Sequence, residues 1–417
     1  MKSYKLLCYL NRQHSHLERY LIGYLSYFGV YSVTQSHQLA KRSYEEMKAD
    51  LFFTGFRRAS WYASRGWPPG FELSQDVFFF ASESMDIEGC QSLLKFHHER
   101  PESSLLTWLD QELGLRAGYI HAIINKNDTQ VAKQELESIK CNVDHMLKLL
   151  ADLFNVRKIE QRDVSNANIK SISSAVLRKD FSKKNASIAI SDLIEVLPLD
   201  RWPWFVINGT FLGLQREGGF LEHDMDIDIG IYDDNLKIDY LCEILNSADC
   251  FSRIKVDYQL QLDMVGGQLS AKSIPVLIKL VHKAGVSIDI SILYTENDMC
   301  WHGSPIHRWE HQLFDLDKRV LGGVTVLAPM QADRYLTEAY GDWRTPVVSF
   351  NCSTGSPNLR LVRNPLSLAL FMRRLHWHLN QSDISGYKKI LNQLLSEGVI
   401  QIDSCNPPTL ARNWISV

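Results

Sequence analysis

The chain has 417 residues, a 45% hydrophobic and 22% charged composition, and a formal charge of −3 from 45 basic against 48 acidic side chains. That length predicts two or three domains, the composition is ordinary for a soluble globular protein, and the near balance of charge gives no support for a nucleic-acid binder, which carries a basic excess or stripe. Its eight cysteines form no Cys-x-x-Cys pair and no histidine cluster accompanies them, which argues against a zinc site and for small buried thiols in a reducing compartment.

The opening stretch MKSYKLLCYLNRQHS holds a short apolar run that ends at Asn11 and Arg12 without a small-residue cleavage site. It reads as a first strand rather than a signal peptide. No uninterrupted apolar run approaches the roughly 20 residues needed to span a bilayer. The expectation is therefore a cytoplasmic protein, with peripheral association at the inner face of the membrane left open. Strand-like segments at Lys5–Leu10, Val30–Thr34, Asp50–Gly55 and Asp76–Ala81 alternate with helical ones at His16–Phe28 and Ser43–Ala49. This alternation predicts an open parallel-sheet α/β domain over residues 1–102. No glycine-rich fingerprint follows its first strand, so no nucleotide site is assigned there.

Residues 103–185 read as a helical connection and linker. Leu136, Ile139, Val143, Met146, Leu147, Leu150 and Phe154 recur at three- and four-residue steps, the stripe of a helix packed on a neighbour. The polar stretch Arg157–Asn185 is the candidate link. A second domain is expected over residues 186–380, with a helical extension at 381–417. It opens with a helix at Ile188–Val196 and a strand at Trp204–Asn208. Gly209 and Thr210 start a short helix that ends at Gly218–Gly219. Asp224, Asp226 and Asp228 then alternate with Met225, Ile227 and Ile229, and side chains on a strand point to opposite faces in turn. A face carrying three like charges needs a reason, and a hard divalent cation supplies one. A later strand, Val286–Leu293, sets Asp289 on the polar face between buried isoleucines.

Each part suits phosphoryl chemistry. Gly209 admits a phosphate close to the backbone, and the N-terminus of the following helix offers free N–H groups and a positive dipole end. Asp226 and Asp228 would hold Mg²⁺. Asp289 either completes the metal shell or takes the proton of an attacking hydroxyl. Arg216 either reaches a phosphate or neutralises the end of its own helix. In Tyr340–Pro346, Tyr340 or Trp343 could stack on a base with Arg344 on phosphate, or the loop simply packs onto the domain. The segment holding Arg360, Arg363, Arg373, Arg374, His376 and His378 reads as an ordinary solvated helix face.

These motifs resemble the LicD/fukutin group of phosphotransferases, which has a nucleotidyltransferase-like fold. The family's Gly-Thr-Leu-Leu-Gly-x-x-Arg stretch is matched by Gly209-Thr210-Phe211-Leu212-Gly213-Leu214-Gln215-Arg216. Its Pro-Trp-Asp-Asp-Asp-Ile-Asp stands here as Glu222-His223-Asp224-Met225-Asp226-Ile227-Asp228. Ile288–Ile290 and the ending Tyr340-Gly341-Asp342-Trp343-Arg344-Thr345-Pro346 also match, so the resemblance spans about residues 188–380. It implies an α/β protein whose C-terminal part is a nucleotidyltransferase-like α+β domain. It further implies transfer of a phosphorylated alcohol (ribitol phosphate, glycerol phosphate or phosphocholine) from a CDP-activated donor to a glycan or lipid-linked saccharide acceptor, with Mg²⁺ or Mn²⁺. Asp226, Asp228 and Asp289 are then the metal-binding and catalytic acids, and Gly209, Thr210, Arg216, His223, Asp224, Tyr340, Trp343 and Arg344 the donor-binding set. Glu222-His223 in place of Pro-Trp, and Met225 in place of the middle Asp, bear on donor identity more than on metal chemistry. Two alternatives remain: a nucleotidyltransferase releasing pyrophosphate, and a non-catalytic member that recognises glycan or assembles a synthesis complex.

Overall fold

The computed structural model describes residues 87–99, 104–126, 128–163, 182–222, 224, 226–234, 236–347, 350, 352–402 and 407–415. The strands and helices expected over residues 5–81 lie outside this set. The chain divides into two compact units, Met1–Ala151 with Ile402–Leu410, and Asp152–Gln401 with Ala411–Val417.

In the first unit, helix α1 (Ile87–His98) packs on α2 (Leu105–Asn125), and α3 (Thr129–Asp163) begins. Ser104 caps α2 by accepting the Thr107 N–H, which satisfies one of the free donors of its first turn. Glu112 on α2 is 1% exposed, and a lone carboxylate there would be costly. Arg116 one turn on and His98 at 2.9 Å supply its partners. On α3, Leu136, Ile139, Val143, Met146, Leu147 and Leu150 are all buried, as their spacing predicts.

The second unit opens with α4 (Lys183–Val196), whose Ala186, Ala189, Ile190 and Leu193 enter the main core. There follow β1 (Phe205–Val206), α5 (Asn208–Glu217), β2 (Asp226–Tyr232) and α6 (Ile238–Ser247). Next come the hairpin β3 (Phe251–Val265) and β4 (Gln268–His282), then β5 (Ser287–Glu296), β6 (Met299–Gly303), β7 (Arg308–Gln312), β8 (Leu316–Leu321) and β9 (Val324–Pro329). The last elements used below are α7 (Ala332–Tyr340), α8 (Cys352–Gly355), β10 (Leu359–Arg360), α9 (Pro365–Asn380) and α10 (Ile384–Ser396). The strands form one mixed sheet in the order β10-β7-β6-β5-β2-β1-β9-β8, with β4 on β5 and β3 on β4. The pairs β2–β5 and β1–β9 are parallel; β1 meets β2 antiparallel. Alternation drives Ile227, Ile229 and Ile231 of β2, and Ile288, Ile290 and Ile292 of β5, into a core shared with Trp204, Phe205 and Phe211.

Two expectations change. The strand predicted to run to Asn208 is only two residues long, because Asn208 already begins α5, in a left-handed conformation with φ 45°. The basic segment near the C-terminus is no solvated helix face: Arg374, His376 and His378 on α9 are buried. The reason is in its own sequence. Leu368, Ala369, Leu370, Phe371 and Met372 are consecutive and all buried, and a consecutive apolar run cannot keep to one side of a helix. Asn364 caps this enclosed helix through the Ser367 N–H at 2.8 Å. Nearby, β6 and β7 with the turn between them bury His302, His307 and His311. His307 lies between the hydroxyls of Ser304 at 2.7 Å and Ser353 at 2.8 Å, and burial pushes both His302 and His307 down to about 3.

Candidate active site

The register of β2 against β5 builds the acid cluster. Asp226 pairs with Ser287, and Asp228 pairs with Asp289. Ile227, Ile229, Ile288 and Ile290 fill the core, so Asp226, Asp228 and Asp289 share the opposite face. Asp224, expected on the same strand, lies just before it, since β2 starts at Asp226. Its carboxylate still joins the group. Both its oxygens, and Oδ2 of Asp228, lie 3.2 Å from where a Cβ on residue 209 would stand. Glycine at that position is what lets two carboxylates close on the start of α5. The Gly209 N–H donates to Asp228 Oδ2 at 3.0 Å. The Asp228 N–H donates to Thr210 Oγ1 at 2.8 Å; Thr210 is fully buried and braces the strand rather than lining open space.

Proximity and burial set the charge state. Asp228 is held well above the usual carboxylate range by burial first, then by Asp226, Asp224 and Asp289, with the Gly209 N–H pulling the other way. Burial also raises Asp226, opposed by Lys279. Asp289 is pushed up to about 7 by burial first; Lys279 opposes the rise, while Asp226 and Asp257 add to it. Carboxylates that resist ionisation together are relieved by a cation among them. The donor set is all hard oxygen, which fits Mg²⁺ or Mn²⁺ and not a soft metal.

Lys279 and Asp257 belong to this neighbourhood and were missed in the sequence. Lys279 stands directly opposite Asp289 in the β4–β5 ladder. Asp257, on β3, is 7% exposed and pairs with Lys255 at 2.8 Å and Lys279 at 3.9 Å. The available signal was a single lysine between buried Ile278 and Leu280, inside an otherwise apolar run.

Beside the acids lies a cavity of about 190 Å³. Gly209, Leu212, Arg216, Leu221 and Asp224 line it, together with Tyr340, Asp342, Trp343, Thr345, Val347 and Phe350. Five of the expected donor-binding residues therefore meet here: Gly209, Arg216, Asp224, Tyr340 and Trp343. The Tyr340 ring sits 5.0 Å from that of Phe350. The Trp343 indole N–H donates to Asp333 at 3.1 Å. Arg344 does not line the cavity. Its guanidinium lies 4.5 Å from the Trp343 ring centre and 2.6 Å from Asp333. His223 lies outside the described residues.

Among the described residues, Asp192, Cys250 and His282 also bring ligand atoms within 4.8 Å of one another. The imidazole is already committed, however. His282 Nδ1 accepts the Ala284 N–H at 3.2 Å, so Nε2 carries the proton and donates to Asp192 at 2.9 Å. No ring lone pair is left for a metal.

Residues 201–331 match the family model described as LicD/FKTN/FKRP, nucleotidyltransferase domain. That span holds the whole acid cluster and Lys279, and ends before the Tyr340–Phe350 wall of the cavity. The chain is also 23% identical over 167 residues to the ribitol-5-phosphate transferase FKTN of Mus musculus, covering 38% of this chain and 33% of that protein. The chain thus spans about a third of the length of the curated relative it matches. Among the described residues, no helix is long and apolar enough to cross a membrane.

Proposed function

We propose, from the match of residues 201–331 to the LicD/FKTN/FKRP nucleotidyltransferase domain, that the chain transfers a phosphorylated alcohol from a nucleotide-activated donor to a sugar hydroxyl, using a divalent cation. The observation that carries this reading is the in-register pairing of Asp228 with Asp289 on adjacent parallel strands, next to Asp226 and the start of α5. Asp226, Asp228 and Asp289 would hold the cation, which supplies charge neutralisation to the donor phosphates. The cavity beside them takes the nucleoside end of the donor, its aromatic wall suited to a base and Arg216 suited to phosphate oxygen.

In the reaction, the acceptor oxygen bonds to the donor phosphorus that carries the alcohol. The bridging P–O bond on the nucleotide side breaks, a nucleoside monophosphate leaves, and the hydroxyl proton passes to solvent or a cluster carboxylate. Catalysis of this kind is mostly positioning and electrostatics. The mouse relative is named a ribitol-5-phosphate transferase. This makes CDP-ribitol the first donor to try, with CDP-glycerol and CDP-choline next, and a glycan or lipid-linked saccharide as acceptor.

The test incubates the full chain with each CDP-alcohol, Mg²⁺ and a glycan-rich extract, and follows products by mass spectrometry. CMP with a phosphoalcohol-modified glycan supports the reading. Pyrophosphate released from CTP would replace it with nucleotidyl transfer. Binding of a donor with no turnover under any condition would leave a non-catalytic glycan-recognition role.

A further inference from the structure

We infer that Lys279 is a built-in second positive charge of the acid cluster, so that the site takes one divalent ion and not two. The inference rests on the metal-dependent reading above and goes beyond it to the stoichiometry of the ion.

Four carboxylates, those of Asp224, Asp226, Asp228 and Asp289, form a donor set large enough for a pair of metal ions, which sit about 3.5–4 Å apart where enzymes use two. The sheet puts something else in the second place. Asp228, Asp289 and Lys279 stand directly opposite one another on β2, β5 and β4. Residues opposed in this way share a face, and on the antiparallel β4–β5 pair their Cβ atoms lie about 4.5–5.5 Å apart. Asp289 is therefore flanked by a carboxylate on one side and an ammonium on the other.

The acids divide accordingly. Asp224 and Asp228 close on Gly209, whereas Asp289 faces Lys279 directly across the β4–β5 ladder. Asp257 does not draw Lys279 away, because Lys255 gives Asp257 its close partner at 2.8 Å while Lys279 stays at 3.9 Å. Ile278 and Leu280, buried on either side of Lys279 along β4, fix the backbone from which the ammonium reaches. Lys279 thus acts through the carboxylates as a positioning residue.

Titration of the full chain with Mn²⁺, read by electron paramagnetic resonance and calorimetry without donor, tests this directly. The wild type is expected to bind one ion. Lys279→Ala should either take up a second ion or bind the first roughly tenfold more tightly, because a repelling charge within several ångströms of the ion is gone. Lys279→Arg should keep one ion at near wild-type affinity, since it retains the charge. Turnover should fall in Lys279→Ala and partly recover as Mn²⁺ is raised. Two ions on the wild type would overturn the inference without any variant, as would an unchanged stoichiometry and affinity in Lys279→Ala. Should that variant not fold, Lys279→Gln carries the same expectation. If the wild type binds no ion, the metal-dependent reading itself fails.

Discussion

Replacing Gly209 by alanine perturbs the acid cluster without adding or removing a charge. The backbone of Gly209 lies outside the left-handed region, so alanine brings no strain there, and in the first turn of a helix it is favoured over glycine by less than the interior figure of about 1 kcal/mol. Against that gain, the new methyl would stand 3.2 Å from both oxygens of Asp224 and from Oδ2 of Asp228. These contacts are tight enough to move each carboxylate by a few tenths of an ångström, and they strain the 3.0 Å bond from the residue 209 N–H to Asp228. The two effects on folding oppose each other, so stability should stay within about 1 kcal/mol of wild type. Function has no such compensation. Small misplacements of reacting groups cost up to about 100-fold in rate, so turnover should fall by roughly 10- to 100-fold and the gain in melting temperature on adding Mg²⁺ should shrink. Melting curves with and without Mg²⁺, beside CMP-release rates, read both quantities. Wild-type turnover and metal response in Gly209→Ala would refute the arrangement of Asp224 and Asp228 around residue 209; a large loss of metal-free stability would refute the balance just drawn.

Asp289→Asn should abolish turnover yet raise metal-free stability above neutral pH, since it removes a charge that burial disfavours. The same shift has a pH signature. The folded value of Asp289, about 7, lies above its ordinary unfolded value, so its contribution is fully present below the unfolded value and is lost as pH rises through about 7. Chemical denaturation at pH 6 and 8.5 should show that loss in metal-free protein and its reversal by Mg²⁺; a metal-free protein insensitive to this change, in wild type and Asp289→Asn alike, would contradict it. The buried histidines act in the opposite sense. His302 and His307 lie at about 3 when folded, so stability present above the unfolded value near 6.5 is lost as pH falls, by about 2 kcal/mol for each at pH 5. Among the described residues, neither ring nitrogen of His302 has a hydrogen-bond partner, so His302→Phe should flatten the acid limb of a stability profile; an unchanged limb would count against it. Tyr340→Leu should raise the donor KM by roughly tenfold or more through lost aromatic contact, with a smaller change in kcat; an unaltered KM would move the nucleoside end of the donor out of the cavity.

The acid pair was legible because its period of two is local: isoleucines between Asp226 and Asp228, and around Asp289, announce both the strand and the buried face. Asp224 obeys the same period but falls off the strand, because pairing with β5 begins only at the Asp226–Ser287 step. Lys279 was not legible. It carries no motif, and what sets it against Asp289 is the register of β4 on β5, a long-range pairing that no local spacing encodes. The same holds for Asp192, Cys250 and His282, which come from a helix, the approach to a strand and a strand end. Helix α9 was placed correctly in outline, but its six nearby basic residues outweighed the consecutive apolar run that encloses it. Tyr340 and Trp343 could be named as candidate cavity residues, whereas the pairing of Arg344 with Asp333, which keeps Arg344 out of the lining, depends on side-chain placement that sequence does not show.

The central claim is that Asp226, Asp228 and Asp289 share one divalent ion, and anomalous diffraction from a crystal of the full chain soaked in Mn²⁺ at mildly alkaline pH tests it most directly. A single peak within about 2.0–2.4 Å of oxygens from these three side chains is the expected result. No peak there, or one only at Asp192, Cys250 and His282, would contradict it.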